Sequence, residues 1–176
     1  MDTTPNTTPE EQHSLDRSGG QFPALFPRRG LYFEEFAVGL SVDSPGRTVT
    51  ETDVVQFAML SGDWTGIHTD AVYAAQTPVG QRFAHGLLGL AIANGLAVRL
   101  GFMEGTTLAF RGLSDWKFSL PILIGDTVHL HLTIQEKRPV PRLNGGMLTL
   151  AVELITQDGK IVQSGSWSVL VMSRPA

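Results

Sequence analysis

Gly86-Leu87-Leu88-Gly89-Leu90-Ala91-Ile92-Ala93-Asn94-Gly95-Leu96-Ala97-Val98-Arg99-Leu100 is the stretch that decides the fold. Nine apolar side chains, at Leu87, Leu88, Leu90, Ala91, Ile92, Leu96, Ala97, Val98 and Leu100, cover nearly the full circumference of a helix. A helix that is apolar all round is a buried one. Its glycines each cost about 1 kcal/mol of helix propensity relative to alanine. That cost is intelligible where a sheet must approach the helix closely. Gly89, Asn94, Gly95 and Arg99 interrupt the apolar run, which is also too short to span a bilayer.

Downstream of this helix the chain reads as strand. Trp116, Phe118 and Leu120 alternate. From Thr127 to Gln135, Val128, Leu130, Leu132 and Ile134 face one way and His129, His131, Thr133 and Gln135 the other. Leu148, Leu150, Val152 and Leu154 repeat the pattern, as do Trp167, Val169 and Val171. Gln157-Asp158-Gly159-Lys160 is a tight hairpin turn, its Asp-Gly pair suited to positive φ, and Asn144-Gly145 lies in a longer turn before it. Consecutive hairpins after a buried helix predict an α+β fold in which one antiparallel sheet wraps a long central helix.

Upstream, Leu40 to Thr50 is predicted to be an extended arm broken at Ser44-Pro45-Gly46. A helix is expected over Thr50 to Leu60, capped by Thr50 or Thr52 and stopped by Ser61-Gly62. A second, short helix fits Ala71 to Gln76, with Asp70 as its cap and Thr77-Pro78 as its stop. Residues 1–30 read as a flexible N-terminal segment, polar and Pro-interrupted, although Phe22, Leu25 and Phe26 could pack. One folded domain is expected over 31–176.

Composition narrows the function. With 176 residues, 42% of them hydrophobic and 17% charged, the chain is one globular domain, slightly poor in charge, as expected where surface is covered by a partner subunit or a ligand. A formal net charge of −4 argues against nucleic acid as the main partner. Without any cysteine there is no disulfide framework, thiolate nucleophile or Cys-based zinc site. No secretory signal pattern opens the sequence, and a cytoplasmic protein without membrane attachment is expected.

The stretch Ser61-Gly62-Asp63-Trp64-Thr65-Gly66-Ile67-His68-Thr69-Asp70 sets a carboxylate and an imidazole five residues apart in a Gly-containing loop between two helices. Hydration of a polarised double bond needs a base for the water proton and an acid for the neighbouring carbon, and Asp63 with His68 holding one water could fill both roles. On spacing alone the favoured reading is a turn cap at Asp63 and a helix cap at His68. His129 and His131 form a His-x-His on one strand face, where a solvent-facing pair competes with a metal pair that lacks a third ligand. Lys137-Arg138-Pro139-Val140-Pro141-Arg142 reads as a basic hairpin loop, either solvated or meeting phosphate. Trp116 and Phe118 read as core or dimer surface.

Leu60 to Ala75 resembles the signature of the MaoC-like and (R)-specific enoyl-CoA hydratases of the hotdog superfamily, Ser-Gly-Asp-x-Asn-Pro-x-His, matching at Ser61, Gly62, Asp63 and His68. Phe83-Ala84-His85-Gly86-Leu87-Leu88 is similar to the start of that family's central helix, and Lys117 to Thr127 to its Phe-x-x-Pro-x-x-x-Gly-Asp connection. The three motifs stand in family order and span most of Tyr32 to Met172. The family's Asn-Pro is replaced by Thr65-Gly66. Thr65 keeps a hydroxyl, Gly66 loosens the backbone, and Trp64 is bulky beside Asp63.

The resemblance implies a hotdog fold and reversible addition of water to a 2-enoyl-CoA thioester, giving a 3-hydroxyacyl-CoA. Asp63 and His68 would be catalytic, with the Gly86 N–H polarising the thioester carbonyl. Ser61, Thr65, Arg82, His85 and Lys117 would be substrate-binding. No metal and no cofactor beyond the CoA thioester itself is implied, and the expected assembly is a homodimer or higher homo-oligomer. A hotdog thioesterase and a non-catalytic acyl-CoA-binding module are the competing readings.

Overall fold

Six strands, all paired antiparallel, form a single sheet that curls around one long helix in a computed structural model describing residues 30–175. The expected flexible segment at the N-terminus, including Phe22, Leu25 and Phe26, lies outside the described residues. Two short strands come first, β1 (Ser41–Asp43) and β2 (Arg47–Thr48), separated by the expected break at Ser44-Pro45-Gly46. Three helices follow: α1 (Glu51–Ser61), α2 (Gly66–Thr69) and α3 (Ala71–Ala75). Thr50 caps α1 reciprocally with Asp53: the Asp53 N–H donates to Thr50 Oγ1 at 3.3 Å and the Thr50 N–H to Asp53 Oδ2 at 2.8 Å. Gly62, at φ 76°, ends α1 in the left-handed conformation that glycine adopts without strain. Asp70 caps α3, accepting from the Val72 and Tyr73 N–H groups at 2.9 and 3.0 Å.

The central helix α4 runs Gly86–Arg99, and the long strands β3 (Thr107–Phe118), β4 (Thr127–Val140), β5 (Gly145–Thr156) and β6 (Ile161–Met172) complete the sheet. Their order is β1-β4-β5-β6-β3, with β2 also on β4. This is the sheet-wrapped helix of a hotdog fold. The alternating residues predicted to face inward do so: Val128, Leu130, Leu132, Ile134, Leu148, Leu150, Val152, Leu154, Trp167, Val169 and Val171 are all buried. They pack against Leu88, Ile92, Ala93, Leu96 and Ala97 of α4. Each such leucine contributes roughly 1.5–3 kcal/mol by leaving water. Gly89 is the point of closest approach, since a Cβ there would fall 2.1 Å from Gln163 Nε2 and 2.7 Å from Ile122 Cδ1. That contact accounts for a glycine in the second turn of a buried helix.

Three expectations are corrected. First, α4 is not buried all round: the sheet covers one side, and Leu87 (60% exposed) and Val98 (56%) stand open on the other. Second, Trp116, Phe118 and Leu120 differ in burial, and the strand ends at Phe118 before reaching Leu120. A register shift between Ser114 and Lys117, with Asp115 at φ 53°, interrupts the pleat. Trp116 packs on the core and stacks on Trp167, whereas Phe118 and Leu120 are exposed. Third, the basic segment from Lys137 is mostly strand, because β4 continues to Val140 before a single turn at Pro141–Leu143. Lys137 donates to the Phe36 carbonyl and lies 4.6 Å from the Phe33 ring centroid, held by the fold. No helix among the described residues is long and apolar enough to cross a membrane.

The β3–β4 connection must travel from one edge strand past two others. On its way it crosses the N-terminal end of α4, where the Ala84 N–H donates to Ile122 O at 2.8 Å and Phe83 bridges to Leu123. That crossing builds the cleft described next.

Candidate active site

Asp63, His68 and His85 converge at the N-terminus of α4, with one ligand-type atom of each within 4.8 Å of the others. Asp63 arrives from the turn after α1, His68 from α2 and His85 as the cap of α4. The loop is held from behind by Ser61, whose Oγ donates to Phe57 O at 2.6 Å and accepts from the Asp63 N–H at 3.2 Å. Thr65 folds back onto the carboxylate: its Oγ1 donates to Asp63 Oδ1 at 2.5 Å and its N–H to the same oxygen at 3.1 Å. The hydroxyl that replaces the family's Asn thus orients the carboxylate directly. Asp63 does cap a turn, as the plainer reading had it, and still lies beside His68. Gly66, expected to loosen the loop, instead admits the Tyr73 ring, which would lie 2.9 Å from a Cβ at that position.

His68 is buried, 7% exposed, and its Nδ1 is 2.7 Å from Phe83 O. A carbonyl only accepts, so Nδ1 carries the hydrogen and Nε2 keeps its lone pair. Burial pulls the His68 pKa below the usual imidazole value, and the neighbouring His85 pulls it the same way. The Phe83 carbonyl and Asp63 push against that shift. Asp63 is held below the ordinary carboxylate range, first by the Thr65 hydroxyl and then by its N–H, with the two histidines adding to the effect. At neutral pH the pair is therefore a carboxylate beside a neutral imidazole.

His85 is buried, 2% exposed. Its Nε2 lies 2.9 Å from the Asp63 backbone oxygen, and its ring lies tilted against His68 with centroids 3.9 Å apart and planes 33° apart. A metal would need both imidazole lone pairs to meet at about 2.0–2.1 Å. His85 Nε2 faces a carbonyl and so carries the hydrogen, which leaves the lone pair on Nδ1, a buried atom without a partner among the described residues. The other histidine pair is dispersed on the outer sheet face, with His131 bonded to Asp43 at 2.7 Å.

A cleft of about 430 Å³ opens onto His68 and Gly86, walled by Ile67 and Phe83 on one side and by Phe118 and Ile122 on the other. Gly86 is the first residue of a 14-residue helix, where an N–H has no partner within the helix and the positive end of the helix dipole lies. A Cβ on Gly86 would fall 2.8 Å from the Phe118 ring, so glycine permits Phe118 to form the wall. Phe118, expected in the core or on a dimer surface, is a cleft residue. Arg82 and Lys117 do not line the cleft. Arg82 pairs with Glu51 at 2.8 Å, and Lys117 is exposed on β3. Sequence reasoning missed Gln163, a buried residue of β6 whose Nε2 donates to Gly86 O at 3.0 Å and which lines the same cleft. The signal was available, because Gln163 shares the parity of Trp167, Val169 and Val171 and so is a polar side chain on a core face.

A family model described as MaoC like domain matches residues 35–155. The (R)-specific enoyl-CoA hydratase of Rhodospirillum rubrum is 32% identical over 143 residues, covering 81% of this chain and 93% of that one. Protein MaoC of Klebsiella aerogenes is 40% identical over 106 residues, 60% of this chain, and the match spans only 31% of that relative's length. Among solved structures, one described as a monoamine oxidase regulatory protein from Archaeoglobus superposes with a TM-score of 0.77 at 34% identity, covering 84% of this chain and 98% of the other.

Proposed function

The chain belongs to the MaoC-like domain family, and on that premise we propose that it is a hydro-lyase adding water reversibly to a 2-enoyl-CoA thioester to give a 3-hydroxyacyl-CoA. The observation that carries this reading is the approach of Asp63 to His68, which lines a cleft together with Gly86, the first residue of α4. The relative from Rhodospirillum rubrum, named for the same reaction, supports it.

The protonation states constrain the mechanism. The thioester carbonyl oxygen rests on the Gly86 N–H, which stabilises the enolate as charge develops there. Both Asp63 and His68 start deprotonated, so the proton added to the α-carbon has to come from the water itself. His68 Nε2 takes that proton as the oxygen attacks the β-carbon, then delivers it to the α-carbon. Asp63 accepts the water's other hydrogen bond and stabilises the transient imidazolium. One base acting twice adds hydrogen and hydroxyl to the same face, and dehydration runs the same steps backwards. No cofactor beyond the CoA thioester enters.

Assembly belongs to the same reading. Leu87, Leu90 and Ala91 of α4 line a shallow apolar groove with Phe110 and Leu113, both exposed on β3, and β3 is a 12-residue edge strand. Exposed apolar surface beside an open edge is what a second copy covers, and a homodimer is expected by light scattering.

The test of the activity is incubation with crotonyl-CoA, following the enoyl absorbance and free thiol together. Loss of the enoyl band without thiol release supports the hydratase. Thiol release with the double bond intact identifies a thioesterase instead, and binding without either change identifies a non-catalytic module.

A further inference from the structure

Helix α4 begins in a way that its own residues do not secure. His85 makes no side-chain capping bond, and glycine stands at both Gly86 and Gly89. Each glycine gives up about 1 kcal/mol of helix propensity relative to alanine and leaves the backbone freest to turn. A capping side chain, the usual remedy, would stand over the first-turn N–H groups that the proposed reaction presents to the thioester. The sheet supplies a tie from the carbonyl side instead. Gln163 Nε2 donates to Gly86 O at 3.0 Å, and because a carbonyl can only accept, this bond fixes which end of the amide is nitrogen. Gln163 is 2% exposed on β6, an interior strand paired with β3 on one side and β5 on the other.

Gly89 makes that tie possible. A Cβ at Gly89 would fall 2.1 Å from Gln163 Nε2 and 3.0 Å from its Cδ, so the amide occupies the space that any other residue would fill. A glycine opens the face of α4, a buried amide enters it, and the helix start is fastened to the middle of the sheet. The same amide leaves Oε1 buried without a partner among the described residues, a cost that an apolar side chain would avoid. We infer that Gln163 is a positioning residue for the proposed hydration, acting through Gly86: it holds the start of α4 so that the Gly86 N–H stays aimed at the thioester carbonyl. This role rests on the hydration reading given above. A preorganised donor needs no reorientation as charge develops, so loosening it weakens transition-state stabilisation more than ground-state binding.

The test joins kinetics on crotonyl-CoA to the infrared carbonyl stretch of bound butyryl-CoA, isotope-labelled at that carbon and lacking the double bond that reacts. In the wild-type protein the stretch is expected at lower frequency than in free butyryl-CoA, as for a hydrogen-bonded carbonyl. Gln163→Met, similar in size but without a donor, should lose part of that displacement. Its kcat should fall about tenfold or more with KM close to wild type. Gly89→Ala, which pushes the amide away, should lose displacement too, and Gln163→Leu serves if Gln163→Met does not fold. Wild-type kcat in the Gln163 variant overturns the role. So does a fall in kcat with the stretch unmoved, because a merely structural loss leaves the bound carbonyl as it was. Wild-type hydration without any displacement of the stretch overturns it as well and leaves the hydratase standing. Failure of the wild-type protein to hydrate crotonyl-CoA removes the proposed activity and this role with it.

Discussion

His85 Nε2 lies 2.9 Å from the backbone oxygen of Asp63, tying the cap of α4 to the turn that presents the carboxylate. The same ring lies tilted against His68. One buried imidazole therefore contacts both Asp63 and His68 and fixes where each stands.

His85→Ala is expected to lower kcat about a hundredfold while leaving KM close to wild type, because a displacement near 1 Å costs about that much in rate. His85→Gln places an N–H near the Nε2 position and should recover part of the loss. Steady-state kinetics on an enoyl-CoA separates the two parameters. A large rise in KM with kcat intact would mean that His85 contacts substrate.

The direction of the His68 shift fixes a pH profile. His68 must be neutral to take the water proton, and burial lowers its pKa from the ordinary 6.5. Activity is therefore full at neutral pH and is lost only as pH falls through that lowered value. The acid limb of kcat/KM should lie below 6.5, and a limb at or above it would contradict the assignment. Stability moves the same way: between the lowered folded value and 6.5 the unfolded chain binds more protons, so the fold weakens as pH drops through that window.

Gly89→Ala drives a methyl group into Gln163 and Ile122. Overpacking of this kind costs about 1–3 kcal/mol, and urea denaturation should show the midpoint falling by a corresponding amount. An unchanged midpoint would mean that β6 and the β3–β4 connection yield without cost.

Much of this was legible beforehand because a pleat has period two. The alternations Val128–Ile134 and Leu148–Leu154 declared the core face of the sheet, and Thr50 with Asp53 declared the start of α1. Other features had no local signature. An all-apolar α4 encodes burial without saying by what, so Leu87 and Val98 were read as core when the sheet reaches only the opposite side. Phe118 lies on the same sheet face as Trp116 but at the end of β3, over the cleft rather than the core, a distinction strand parity does not make. At the site, the motif brought Asp63, His68 and Gly86 together on paper, and the structure sets Asp63 and His68 together beside a cleft lined by His68 and Gly86. Ser61 and His85 were taken for substrate contacts. Both bond within the loop, contacts that depend on burial and bonding directions no single sequence displays.

The central claim is that Asp63 and His68 act as one unit on one water, and a double-mutant cycle tests it most directly. Asp63→Asn and His68→Ala should each reduce turnover of an enoyl-CoA by about two to four orders of magnitude in folded protein. The double variant should be no slower than the slower single variant, as for groups that share a step. Losses that multiply, or wild-type turnover in either single variant, would contradict the account.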